Sequence, residues 1–135
     1  MIKFDCVINH FNFQNQSVLK YNEYPEMLLI VGDFKIIINK ELFFSEPYFP
    51  ILEFMKVALS WVHNDENTPM LYNSVETEEN PLISFAKVAD SWNIFSPWQK
   101  YNCNLYFSKE ELATAIIELK QNLILKHPEF KELLR

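Results

Sequence analysis

The stretch from Pro47 to His63 reads as a helix entered at Pro50, and after that proline it is apolar at almost every position: Ile51, Leu52, Phe54, Met55, Val57, Ala58, Leu59, Trp61 and Val62. The polar exceptions, Glu53, Lys56, Ser60 and His63, recur at helical intervals and fall on one narrow stripe. A helix of this pattern, led in by Pro47 and Pro50, must be covered on most sides, so the remaining chain has to wrap it.

The flanking segments alternate with period two. Ile2, Phe4, Cys6 and Ile8 interleave with Lys3, Asp5 and Asn9, which predicts a strand with one buried face. The phase slips towards Phe11 and Phe13, as a bulge near Asn9–His10 would make it. Asn15, Gln16 and Ser17 read as a turn, and Val18 to Tyr24 as a weaker extended segment. Two apolar runs, Met27 to Val31 and Phe34 to Ile38, flank Gly32-Asp33, a pair suited to a type II′ hairpin. Asn39-Lys40 then separates Ile36–Ile38 from Leu42–Phe44, a second hairpin. The amino-terminal half is thus expected to be a four- or five-stranded antiparallel meander.

After the central helix, His63 to Pro69 is polar and aperiodic. Extended segments are expected at Met70–Val75, Leu82–Val88, Trp92–Phe95 and Cys103–Phe107, with an acidic connector from Glu76 to Pro81 and a turn at Ala89-Asp90-Ser91. Pro97 ends the third of them, since proline cannot donate to a central ladder. Ser108-Lys109-Glu110-Glu111 has the spacing of a capping box. It opens an amphipathic helix with Leu112, Ile116, Leu119 and Leu123 on one face and Ala113, Ile117 and Ile124 widening it; His127-Pro128 breaks it, and Glu129 to Leu134 adds a final turn. The expected architecture is one α+β domain over residues 1–135: an antiparallel sheet, a largely buried central helix, and a C-terminal amphipathic helix packed on it.

Composition narrows the function classes. Apolar residues make up 49% and aromatic ones 16% of the chain, which fits a packed core. The formal charge of −6 disfavours nonspecific binding to nucleic acid or to an anionic membrane surface. Arg135 is the only arginine, so no internal guanidinium fork is available to clamp phosphate. Gly32 is the only glycine, which excludes glycine-rich phosphate loops, the dinucleotide fingerprint and the glycine-flanked nucleophile elbow. Cys6 and Cys103 belong to no Cys-x-x-Cys pair and are expected to be reduced thiols. No apolar run approaches the roughly 20 residues of a membrane-spanning helix, and Met1 to Cys6 lacks the apolar block of a secretory signal. A cytoplasmic protein without metal or cofactor, and without a nucleic-acid or membrane partner, is the expectation.

Few side chains suggest chemistry. His10, His63 and His127 lack metal-ligand spacing. His63, at the end of the central helix, suits a capping role; a general base is the sharper alternative, but a catalytic histidine needs a nucleophile partner that the sequence does not display. Glu53, inside the buried helix, needs a partner if ionised, with Lys56 available at i+3, or it is a ligand-binding carboxylate. Acidic residues gather in two loops, Asp65-Glu66 and Glu76/Glu78/Glu79, which read either as a solvated face or as a recognition surface for a basic partner. Trp61 and Trp92 read as core; Trp98, between Pro97 and Gln99-Lys100, reads as a loop anchor for a protein interface.

Lys35-Ile-Ile-Ile-Asn-Lys-Glu-Leu-Phe-Phe44, Pro47-Tyr-Phe-Pro-Ile-Leu-Glu-Phe54, Ile83-Ser-Phe85 and Trp92-Asn-Ile-Phe-Ser-Pro-Trp-Gln99 together resemble small immunity proteins of bacterial polymorphic-toxin systems. The resemblance covers about half of the chain and carries no motif residue with an assigned role. It implies an acidic, non-enzymatic α+β protein that binds and blocks a toxin domain, often a basic nuclease. Asp65, Glu66, Glu78, Glu79 and Trp98 are the expected partner-binding residues. The alternative from another class is a small enzyme or ligand-binding domain with a pocket between sheet and central helix, using Glu53 or His63.

Overall fold

A computed structural model describes residues 1–9, 26–64 and 67–134. Its elements follow in the order β1 (Ile2–Ile8), a 3-10 turn (Glu26–Leu29), β2 (Gly32–Ile38), β3 (Glu41–Phe49), α1 (Ile51–Val62), β4 (Met70–Tyr72), β5 (Ile83–Val88), β6 (Ser91–Phe95), α2 (Lys109–Lys126) and a closing 3-10 turn (Pro128–Lys131). Two antiparallel sheets of three strands, β1-β2-β3 and β4-β5-β6, flank α1 in the sequence, each in simple meander order. This is an α+β fold with a largely buried central helix and a C-terminal helix packed against β1 and α1.

The inner faces meet in an aromatic core. Phe4 of β1 stacks on Phe34 of β2 and on Phe85 of β5, each at 6.2 Å between ring centres, so the two sheets touch directly. Phe54 of α1 lies edge-on to Phe49 and to Tyr72 of β4, at 5.7 and 5.4 Å. Trp61, about two turns further along the same face of α1, packs edge-on to Phe85 and Trp92 at 5.2 and 5.1 Å. Edge-to-face and offset pairs of this kind stabilise beyond the area they bury.

Local chemistry explains most element boundaries. Asn39 and Lys40 both have positive φ, 49° and 70°, as a two-residue type I′ hairpin requires between β2 and β3. The capping box forms as spelled: the Glu111 amide donates to Ser108 Oγ at 3.0 Å, and the Ser108 amide to Glu111 Oε1 at 3.1 Å. Leu112, Ala115, Ile116, Leu119 and Leu123 form the buried face of α2. A register shift in β3 opposite Ile36/Ile37 places the adjacent Phe43 and Phe44 both in the core.

Four expectations change. Gly32-Asp33 is not a hairpin turn but the start of β2, paired with Ile8 and Val7 of β1. Glycine is required there by space: a Cβ on Gly32 would sit 2.6 Å from Cys6 Sγ and 2.9 Å from the Val7 carbonyl oxygen. Met27 to Val31 is no strand either: Met27, Leu28 and Leu29 belong to a 3-10 turn that buries Met27, and Ile30, also buried, follows it outside any strand. The two-residue turn with positive φ at its first position alone lies instead between β5 and β6, at Ala89 (φ 55°) and Asp90. Cys103 to Phe107 supplies a single bridge, Trp92 with Phe107, and Met70–Val75 shortens to Met70–Tyr72. The bulge at Asn9–His10, the turn at 15–17 and the segment 18–24 fall wholly or partly outside the described residues.

Among the described residues, no helix is long and apolar enough to cross a membrane.

Candidate functional site

The acidic connector between β4 and β5 is a built loop. Asn80 organises it: its Oδ1 accepts the Ser74 amide at 2.8 Å, and its Nδ2 donates to the Ser74 and Thr77 carbonyls at 3.0 and 2.7 Å. Ser74 Oγ accepts the Glu76 amide, and Thr77 Oγ1 accepts the Glu79 amide. Short polar side chains that bond the backbone two residues on are the usual devices for holding a turn. The backbone is thereby folded on itself while the side chains of Glu76, Glu78 and Glu79 remain exposed.

A second loop, after β6, brings Trp98 to the same place. The Trp98 amide donates to the hydroxyl of buried Ser96, and the Ser96 amide donates to Gln99 Oε1. The Lys100 amide donates to the Phe43 carbonyl at 2.8 Å and Tyr101 packs edge-on to Phe43, so β3 anchors this loop. The indole Nε1–H of Trp98 donates to Glu79 Oε2. Trp98 remains 38% exposed, so the bond orients the ring without burying it.

The two loops and the end of β3 enclose a shallow cleft of about 240 Å³, lined by Glu46, Tyr48, Ser74, Glu76, Thr77 and Trp98 over a floor of Phe49, Pro50 and Leu82. Pro47, which cannot donate to a ladder, coincides with the register shift between Gly32 and Phe34 that re-aims this end of β3. Tyr48 is 70% exposed. Among the described residues no cation is paired with Glu46 or Glu76; Lys35–Asp33 and His127–Glu129 pair elsewhere.

Of the partner-binding residues expected from sequence, Glu79 and Trp98 are in direct contact, with Glu78 beside them on the same loop. Asp65 and Glu66 lie outside the described residues. Glu46 and Tyr48 were not singled out from sequence. The available signal was Glu-Pro-Tyr at the end of an apolar strand, where proline interrupts pairing and leaves its neighbours free for other contacts.

The residues of the pocket alternative sit elsewhere. Glu53 is 2% exposed and accepts the Tyr72 hydroxyl at 2.6 Å. Burial, and then the bond to the Glu53 carboxylate, hold the Tyr72 hydroxyl well above its ordinary pKa, so it stays a donor. His63 is exposed at the end of α1, its amide closing the helix on the Leu59 carbonyl. Two larger open grooves, of about 470 Å³ beside α1 and β4 and about 570 Å³ between β1 and α2, are lined by neither residue. Lys109 seals the end of α1: its ammonium lies 4.9 Å over the Trp61 ring and donates to the Asn64 carbonyl.

The arrangement defines an α+β protein whose most organised surface feature is an aromatic–carboxylate cleft. The chain belongs to the family described as "Domain of unknown function (DUF7878)", whose profile matches residues 4–126. No curated protein and no solved structure matches it.

Proposed function

We propose that this protein is a non-enzymatic interaction module of the immunity type, which binds a basic toxin domain and occludes its active site. Its docking surface is the acidic connector with Trp98, and Asp65 and Glu66 are the further acidic residues assigned to the partner. The observation that carries this reading is the contact between Trp98 and Glu79. An orienting bond holds a partly exposed indole beside three exposed glutamates on a loop held together by the side-chain bonds of Asn80 to its backbone. A pre-ordered aromatic anchor ringed by charge is what a protein interface uses for affinity and approach, respectively. The net charge of −6 favours a cationic partner.

The test is affinity capture from the native host with the wild-type chain and, in parallel, with Asp65, Glu66, Glu78 and Glu79 all reversed to Lys. The wild type should capture a basic protein that is toxic when expressed alone and harmless when co-expressed. Charge reversal should slow association at low salt, and the difference should shrink as the Debye length falls to about 8 Å in physiological buffer. Co-purification of a small molecule with no protein partner would overturn the reading.

A further inference from the structure

We infer that the cleft between Tyr48 and Trp98 is a receptor for one arginine side chain of the protein partner. This rests on the interaction-module reading above and specifies what that surface recognises. Three features of the cleft select this occupant.

The first is size. At about 240 Å³, the cleft falls below the roughly 300–1,000 Å³ of small-molecule sites, so it suits a single side chain rather than a whole ligand. The second is charge. Glu46 and Glu76 stand on opposite elements, β3 and the connector, and neither is matched by a cation among the described residues. A cation entering between them supplies the missing complement. The third is the presence of aromatic walls. Trp98 is held by its Nε1–H bond to Glu79, and Tyr48 stands exposed on the other element. A guanidinium is planar and weakly hydrated, stacks on aromatic faces and donates to two carboxylates in a fixed fork; an ammonium does only part of this. The chain cannot fill the cleft with an internal arginine, because its only arginine is the terminal Arg135.

The three tryptophans supply an internal control. Trp61 and Trp92 are buried, and Trp98 alone reports on the cleft. Indole N–H resonances of the full chain are followed while Nα-acetyl-arginine methylamide is added, with the acetyl-lysine analogue in a parallel titration. The expected result is a saturable shift of Trp98 alone, stronger for the arginine probe, and weakened about tenfold in Glu46→Gln/Glu76→Gln as two charge-assisted bonds become neutral ones. Unchanged Trp61 and Trp92 resonances in that variant establish that it is folded. A Trp98 resonance that does not respond, responds equally to both probes, or responds undiminished in the double variant overturns the assignment. The functional reading fails separately: arginine binding in a protein that neutralises no basic toxin leaves the cleft and removes the immunity role. Neutralisation indifferent to Glu46→Gln/Glu76→Gln does the reverse.

Discussion

Glu53 and Glu79 each accept a hydrogen bond from an aromatic side chain, one from the Tyr72 hydroxyl in the centre of the core, the other from the Trp98 indole at the surface. In the core, the bond compensates a carboxylate that has lost its water, and fold and bond stand or fall together. At the surface, water remains available to the glutamate, so the bond costs little to break and its effect is to aim the ring. The two regions teach that one contact type is structural or presentational according to what surrounds it. Substitutions should therefore separate them cleanly, with large stability effects around α1 and small ones around the cleft.

The largest effect should come from the core side. Leu59, buried on α1, should cost roughly 2–5 kcal/mol on replacement by alanine, combining lost transfer energy with an unfilled cavity. A chemical-denaturation midpoint that does not move would break the account of α1 as the centre of the fold. Next in size is Tyr72→Phe, which removes a donor from a buried carboxylate without changing the ring; a loss of about 1–3 kcal/mol is expected. Glu53→Gln, which removes the charge and keeps an acceptor, should cost less than Tyr72→Phe if what the Tyr72 hydroxyl needs is an acceptor and not its charge.

Alkaline pH should reach the same region. Burial, then the neighbouring Asp5 and Asp33 carboxylates, push the Cys6 thiol up from 9.0 to about 12, and Tyr72 shifts in the same direction. Both groups are neutral acids in the fold with raised pKa values, so above pH 9 the unfolded chain gives up protons that the folded chain retains. Their contribution is complete below that pH and declines as pH rises towards 12. Denaturation midpoints measured between pH 7 and pH 11 should fall above about pH 9, with a shallower slope in Cys6→Ala. A flat profile in the wild type would contradict the desolvated state of both groups.

Sequence patterning was informative where the physics is local. The nearly all-apolar run of α1, the Ser108–Glu111 box and the alternation of β1 each reflect a period or a cap that a few adjacent residues set. It failed where the cause is distant. Gly32 resembles a turn glycine until Cys6 Sγ and the Val7 carbonyl are seen to occupy the space of its Cβ. The second of two adjacent strand phenylalanines, Phe44 after Phe43, should face solvent by alternation, but the bulge in β3 turns both inward. Likewise, acidity marked the connector and loop composition marked Trp98, while their meeting with Glu46 and Tyr48 depends on Lys100 bonding to Phe43 across the fold. Nothing near those residues in the chain encodes that approach.

The smallest stability effects sharpen the comparison most, because they divide the connector itself. Asn80 makes three side-chain bonds to the backbone, to the Ser74 amide and carbonyl and to the Thr77 carbonyl, whereas Glu76, Glu78 and Glu79 direct their carboxylates outward. Replacing Asn80 with alanine forfeits loop-closing bonds and should cost about 1 kcal/mol. Replacing the three glutamates together with glutamine leaves every backbone bond of the loop in place and should stay within about 0.5 kcal/mol of the parent. The presentation of Trp98 should respond in both cases, since the first variant loosens the loop carrying Glu79 and the second weakens the acceptor itself. Indole hydrogen exchange at Trp98 is the measurement, with Trp61 as the buried reference whose Nε1–H is held by the Thr68 carbonyl at 2.9 Å. Faster exchange at Trp98 with an unmoved denaturation midpoint in the triple variant would identify the carboxylates as aiming devices. A midpoint that falls as far as in Tyr72→Phe would instead make the acidic connector part of the core's support.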